Sequence, residues 1–335
     1  MNLSITSSDA AKRDARRYFV SFALVVVALS ALTMWLVVPI APQFTGNASF
    51  DQKLMHVRAM APDAGRPLSF IIGSSMALNN VDSDLLAAAY HKPFLNLGVW
   101  GMGPGDAQAL ADEVATRHAV GEVILTTQFF ELRDEPLTAF RVNQEAFDQY
   151  MQAPFLLAGL AYRDFYDSLR MRQRWKKQSG NPQSYVNLLF TPTGAVHLNV
   201  PRDRIDQTRW NPVQDFPQSC ANCTDEVETV CQTWHARDVD FTVIMPPLTH
   251  WVREARADVA ALYSDRRARL KVSLAQCNAA FFDAEEWADF DDSCFVDFAH
   301  LNGEGARYLT GLFVDWRAAN GSIARQKFVC GAAAS

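Results

Sequence analysis

Two short stretches far apart in the chain carry residue types that belong together in nucleophilic chemistry. Gly73-Ser74-Ser75 directly follows the apolar run Leu68-Ser-Phe-Ile-Ile72. A serine between a strand and a helix sits where free backbone N–H groups converge and the helix dipole favours negative charge. Such a place suits a nucleophile whose attack generates an oxyanion. The second stretch is Asp297-Phe-Ala-His300. Its spacing lets a carboxylate orient and charge an imidazole on one loop, and a weakly nucleophilic serine hydroxyl needs such a base. Each piece alone has a plainer reading: Gly-Ser-Ser as a turn, Asp-x-x-His as a helix-capping pair.

Positioning these groups requires a rigid frame, and the sequence supplies alternating elements. Strands are predicted at 68–72, 94–97, 122–127, 240–245 and 279–282, from short apolar runs that stop at Gly or Pro. Helices are predicted at 83–90, 106–117, 251–276 and 302–316 from periodicity and caps. Strands alternating with helices imply an α/β fold, a parallel sheet covered on both faces. Ligands of such sheets bind beyond the carboxyl ends of the strands. Ser75 falls at one such end. Trp100, Met102 and His250 also follow strands, and Trp100 and His250 are candidate substrate contacts on that position. Residues of about 135–235 break the rhythm. They hold a basic stretch (Arg170, Arg172, Arg174, Lys176, Lys177) and half of the cysteines, and read as an insertion over the active edge.

Gly-x-Ser after the first strand, Asn96-Leu-Gly-Val-Trp-Gly101 after the second and Asp297-x-x-His300 before the last helix occur in a specific order. That order resembles the SGNH (GDSL-like) hydrolase superfamily over roughly residues 66–131 and 239–318. The resemblance implies a three-layer, flavodoxin-like parallel sheet. It also implies Ser75 as nucleophile, Asp297 and His300 as the other triad members, and Ser75 and Gly101 as oxyanion-hole N–H donors. Two departures stand out. The family's aspartate before the nucleophile is Ser74 here, and its Gly-x-Asn-Asp block is replaced by Ile124-Leu-Thr-Thr-Gln128-Phe-Phe-Glu131. Gln128 carries the same amide on a longer arm, and Thr126 and Thr127 are other candidate donors. Losing one such donor costs about 2.7–4 kcal/mol at the transition state.

The layout further resembles anchored members that O-acetylate cell-envelope polysaccharides. It implies an acyl donor and a polysaccharide acceptor, with a polytopic membrane-bound O-acyltransferase as partner. An esterase or deacetylase of the same fold, or a decayed scaffold that binds glycan, would carry the same motifs. No cofactor or metal is implied, and no basic tract points to nucleic acid.

The anchor is read from Phe19 to Ile40, 22 residues without a charged side chain. As a helix this run spans roughly 33 Å, enough for a bilayer. It exceeds the apolar region of a cleaved signal peptide. Lys12, Arg13, Arg16 and Arg17 precede it, so the positive-inside rule leaves residues 1–18 cytoplasmic and residues 43–335 outside, in the periplasm or its equivalent. Four basic and two acidic side chains in residues 1–42 leave −8 of the net −6 for the remainder. All six cysteines lie in that acidic part. An even number outside the cytoplasm suggests disulfides, with 15 pairings open. Cys220-Ala-Asn-Cys223 could instead be half a zinc site or a redox pair.

Overall fold

The computed structural model describes residues 7–37, 47–60, 65–134, 180–205 and 220–331. The chain divides into two compact units, residues 1–44 with 143–172 and residues 45–142 with 173–335. In the first, the described part is helix α1 (Ser7–Val37). Its stretch Lys12–Leu32 is long and apolar enough to cross a membrane. Helix α1 starts well before the predicted apolar run. Ala, Lys and Arg over residues 10–17 are good helix formers, and no Gly or Pro stops them.

The second unit is built on a five-stranded parallel sheet, ordered β2-β1-β3-β4-β5. The strands are β1 (Leu68–Gly73), β2 (Phe94–Asn96), β3 (Val120–Thr126), β4 (Asp240–Met245) and β5 (Ala280–Asp283). The parallel sheet is what the alternation implied, and the order is the flavodoxin-like winding that the resemblance implied. Every residue of β1 is buried, as a parallel strand covered on both faces must be. Successive side chains point to opposite faces. Phe70 meets Trp234 of helix α6 (Asp225–His235) edge-on at 6.4 Å. Ile71 joins a cluster with Leu309 and Phe313 of helix α10 (Gly303–Ala318). One layer holds α5 (Pro104–Ala115), α6 and α8 (Ala257–Gln276). The other holds α3 (Ser75–Asn80), α4 (Ser83–Tyr90), the short α9 (Ala284–Trp287) and α10.

Several elements differ from the sequence reading. The predicted helix 251–276 is two, α7 (His250–Ala255) and α8, because Arg256 leaves helical space at φ −129°, ψ 81° and turns its guanidinium to Asp258. Helix α2 (Ala48–Ala59) and the small parallel sheet of β6 (Ala288–Phe290) and β7 (Gln326–Phe328) were not predicted. Helix α6 packs on α5 and β4, so it belongs to the layered core and not to the insertion. Asp134 accepts hydrogen bonds from the backbone N–H groups of Ala221 (3.2 Å) and Asn222 (2.7 Å), so the chain departs and returns at neighbouring points. Residues 180–205 of the insertion are described; the basic stretch Arg170–Lys177 lies outside the described residues.

The cysteines pair as Cys220–Cys223, Cys231–Cys277 and Cys294–Cys330, which removes the zinc-ligand alternative for Cys220 and Cys223. Cys231–Cys277 joins α6 to the end of α8, and Cys294–Cys330 closes the chain end beside β6 and β7.

At the end of β5, Asp283 is buried beside Arg267, and burial pushes its carboxyl up to about 6 despite the guanidinium. Its folded value exceeds that of an unfolded aspartate, so its stabilising contribution is complete below about pH 4 and disappears as pH rises through about 6. Urea unfolding of wild type and Asp283→Asn, compared from pH 4 to 7, should show a steeper downward slope in the wild type, since Asp106, also raised to about 6 by burial, titrates in both proteins. Equal slopes would reject the assignment.

Candidate active site

The active edge begins with Gly73, whose φ of +134° suits glycine alone. A Cβ there would sit 2.3 Å from the Thr126 carbonyl oxygen, so the nucleophile turn lies tight against β3. Ser74 then caps α3, its Oγ accepting from the Met76 N–H at 3.0 Å. Ser75 is the first residue of that helix. The loop after β2 stands against the same helix. Asn96 accepts from the Gly98 N–H (2.8 Å) and donates to the Ala77 carbonyl (2.7 Å). Val99 N–H donates to the Gly73 carbonyl at 3.2 Å. Gly101 adopts φ +69°. Among the described residues, no hydrogen bond takes the backbone N–H of Ser75 or of Gly101.

The histidine loop is a tight turn. Val296 N–H donates to the His300 carbonyl at 2.9 Å, and Phe295 bridges Leu301. Asn80, at the end of α3, clasps this turn. Its amide donates to the Ala299 carbonyl (3.0 Å) and accepts from the Leu301 N–H (2.9 Å), the two groups flanking His300. His300 is thereby fixed to the helix that carries Ser75.

His300 Nε2 lies 2.8 Å from Ser75 Oγ, and His300 Nδ1 lies 2.7 Å from Asp297 Oδ2. The other carboxylate oxygen accepts from the backbone N–H groups of Ala299 (2.9 Å) and His300 (2.7 Å). The capping and the imidazole-orienting readings of Asp-x-x-His therefore both hold, one on each oxygen. Asp297 is buried. Burial alone would raise its carboxyl, but the His300 charge and the hydrogen bonds from His300, Tyr185 and Ala299 hold it below the usual carboxylate range. The hydroxyl of Tyr185 donates to Asp297 Oδ2 and lies 3.1 Å from His300 Nδ1.

The third block corrects one expectation. Gln128 is fully buried; its amide nitrogen donates to the Pro246 carbonyl at 2.7 Å and its oxygen accepts from the Phe129 N–H at 2.8 Å. The longer arm is drawn into the strand ends and ties β3 to the loop after β4. Thr127 gives its hydroxyl to Glu131 at 3.1 Å, while the buried Thr126 hydroxyl has no hydrogen-bond partner among the described residues. Glu131 is a buried acid beside the nucleophile turn. Burial raises its carboxyl, opposed by hydrogen bonds from Ser74, the Gln128 N–H and Thr127.

Trp100 is half-buried, and its backbone is gripped by α2: Asn47 donates to its carbonyl (2.7 Å), and its N–H donates to Ser49 Oγ (2.9 Å). His250 lies after β4 as predicted, but its Nε2 pairs with Asp289, and its N–H bonds Asp292 at 2.8 Å. The Asp289 pair holds α7 to β6 and occupies one of the two ring nitrogens. Asp82, Asp84 and His197 bring three potential metal-ligand atoms within 4.8 Å of one another. Both carboxylates already serve the fold, Asp82 capping Leu85 and Asp84 holding Thr193.

Tyr185, Asn80 and Glu131 were missed by sequence reasoning. Tyr185 sits in a segment without periodicity, and Asn80 and Glu131 act through folded contacts that no local spacing announces.

No family model matches the chain, and no curated protein matches it. Solved structures do. A carbohydrate acetylesterase from Sinorhizobium meliloti is similar at 11% identity and a TM-score of 0.41, covering 76% of this chain and 100% of that one. A lipase/acylhydrolase from Enterococcus faecalis is similar at 11% identity and a TM-score of 0.37, covering 76% and 96%. A GDSL-like lipase from Bacteroides thetaiotaomicron is similar at 8% identity and a TM-score of 0.38, covering 82% and 98%. At such levels, function has to be argued from the site's own geometry.

Proposed function

We propose that the chain is an SGNH-type serine acyl-transfer enzyme, anchored by its N-terminal helix with residues 43–335 outside the cytoplasm. In this reading it moves an acetyl group through an acyl-serine to a hydroxyl of a cell-envelope polysaccharide. The observation that supports it is the unbroken hydrogen-bonded run Ser75 Oγ, His300, Asp297.

The steps follow from that run. His300 Nε2 takes the Ser75 proton as Oγ bonds to the acetyl carbon. The N–H groups of Ser75 and Gly101 stabilise the oxyanion. The tetrahedral intermediate expels the donor's alkoxide, which takes the proton from His300. A sugar hydroxyl then attacks the acetyl-serine and passes its proton to His300, and the second tetrahedral intermediate expels the Ser75 oxygen, which takes that proton back from His300. Water as acceptor turns the same machinery into an esterase, so exclusion of water at the acceptor side sets the outcome. A polytopic membrane-bound O-acyltransferase is the partner this reading implies as source of the acetyl group.

The test uses the full chain in detergent with p-nitrophenyl acetate and a soluble oligosaccharide. Peptide mass spectrometry should find one acetyl group on Ser75 and none in Ser75→Ala. Acetylated oligosaccharide in excess of free acetate supports the transferase. Free acetate alone makes the protein an esterase, and no adduct at Ser75 defeats the catalytic reading.

A further inference from the structure

The described part of the insertion, residues 180–205, is stitched to the nucleophile helix. Val196 N–H donates to the Leu78 carbonyl (2.9 Å), Asn79 donates to the Val196 carbonyl (2.9 Å), and Asn96 N–H donates to the Thr193 carbonyl (2.7 Å). At its start, Asn187 donates to the Ser184 carbonyl (2.9 Å) and holds the turn that presents Tyr185. The phenol ring stands edge-on to the His300 ring, with centroids 5.9 Å apart. Its hydroxyl reaches the carboxylate oxygen that also accepts from His300 Nδ1.

We propose that Tyr185 is a positioning residue of the triad: donated by the insertion, it shares Asp297 Oδ2 with His300 and thereby sets both the ring's orientation and the strength of the carboxylate–imidazole bond. The inference rests on the acyl-transfer reading for its catalytic meaning.

The physical argument concerns competition. Asp297 accepts from two backbone N–H groups on one oxygen, and from an imidazole and a phenol on the other. Each added donor spreads the negative charge and weakens the carboxylate as an acceptor for the rest. The phenol's own approach to Nδ1, at 3.1 Å, is longer than the 2.7 Å carboxylate bond and involves no full charge. The charged bond is the stronger of the two. Removing the hydroxyl should therefore strengthen the Asp297–His300 bond and favour the protonated ring. Glu131 also interacts electrostatically with His300 and is unchanged when Tyr185 is replaced.

The test is Tyr185→Phe in the full chain, with thermal unfolding as a check that the fold persists. Two readouts separate positioning from packing. One is the downfield proton resonance of the His300 Nδ1–H, which requires no turnover. It should move further downfield in the variant, as for a shorter hydrogen bond to carboxylate. The other is the pH–rate profile with p-nitrophenyl acetate, whose acidic limb should move to higher pH, with kcat reduced about tenfold and KM little changed. An unchanged resonance in a folded variant overturns the proposal. A shifted resonance in a protein that never acetylates Ser75 keeps the Tyr185 inference and defeats the acyl-transfer reading.

Discussion

Asp297→Asn should lower kcat for p-nitrophenyl acetate by roughly four orders of magnitude while leaving the protein folded. The asparagine oxygen can keep both backbone bonds from Ala299 and His300. Its amide then faces His300 Nδ1 as a donor. The imidazole must place its proton on Nε2 to answer it, and Nε2–H pointing at Ser75 cannot remove the serine proton. The fold survives because both backbone N–H groups keep their acceptor, while the half-buried Tyr185 hydroxyl exchanges its carboxylate acceptor for an amide donor; the chemistry fails because the tautomer is wrong. Acid stability should change with it. The native carboxyl is held below its ordinary value, so its contribution is present above the unfolded aspartate value of about 3.9 and is lost as pH falls through the folded value. Urea titrations below about pH 4 should show a shallower acid loss in the variant than in the wild type. A rate loss of less than about tenfold would mean that Asp297 does not set the tautomer.

Gly73→Ala should destabilise the globular unit by about 3 kcal/mol or more. Two costs combine. A side chain at φ +134° is held in backbone space that non-glycine residues rarely enter, at about 1–3 kcal/mol. The added methyl also meets the Thr126 carbonyl at 2.3 Å, and since that atom is backbone in a paired strand, relief requires moving β3. Overpacking of this kind costs a further ~1–3 kcal/mol. Gly65→Ala is the control, because its φ is +123° and, among the described residues, nothing lies within 4 Å of the new methyl. It should show the strain cost alone. Equal losses at the two sites in chemical denaturation would refute the crowding at Gly73.

Much of this arrangement is legible in the amino-acid sequence. The strands read clearly because parallel strands covered on both faces are continuous apolar runs, as in Leu68-Ser-Phe-Ile-Ile72 and Val123-Ile-Leu125. Ser75, Asp297 and His300 were legible because their chemistry demands particular residue types beside particular elements. The failures have physical causes too. Arg256 carries no Gly or Pro, so the break between α7 and α8 had no local signal. Gln128 looked like an oxyanion donor because its type fitted, but the side-chain direction was set by Pro246, which is 118 positions away. His250 was placed correctly along the chain, yet Asp289 claims its ring. Tyr185 belongs to a stretch with neither period nor motif, and only the folded chain brings it to a carboxylate 112 positions on.

The bonds from Asp134 to Ala221 and Asn222 have an evolutionary consequence. Where a chain leaves and re-enters a core at one place, the intervening segment can be lengthened, shortened or exchanged without disturbing the strand order. Here, however, the exchangeable segment supplies a hydroxyl to the carboxylate behind the imidazole. A chimera that replaced residues 135–219 would remove the contacts that residues 180–205 make to α3, and the Tyr185 contact to Asp297, in one event. Recombination at this junction would therefore alter the surroundings of Asp297 and His300 while leaving Ser75, Asp297 and His300 themselves unchanged in the rest of the chain.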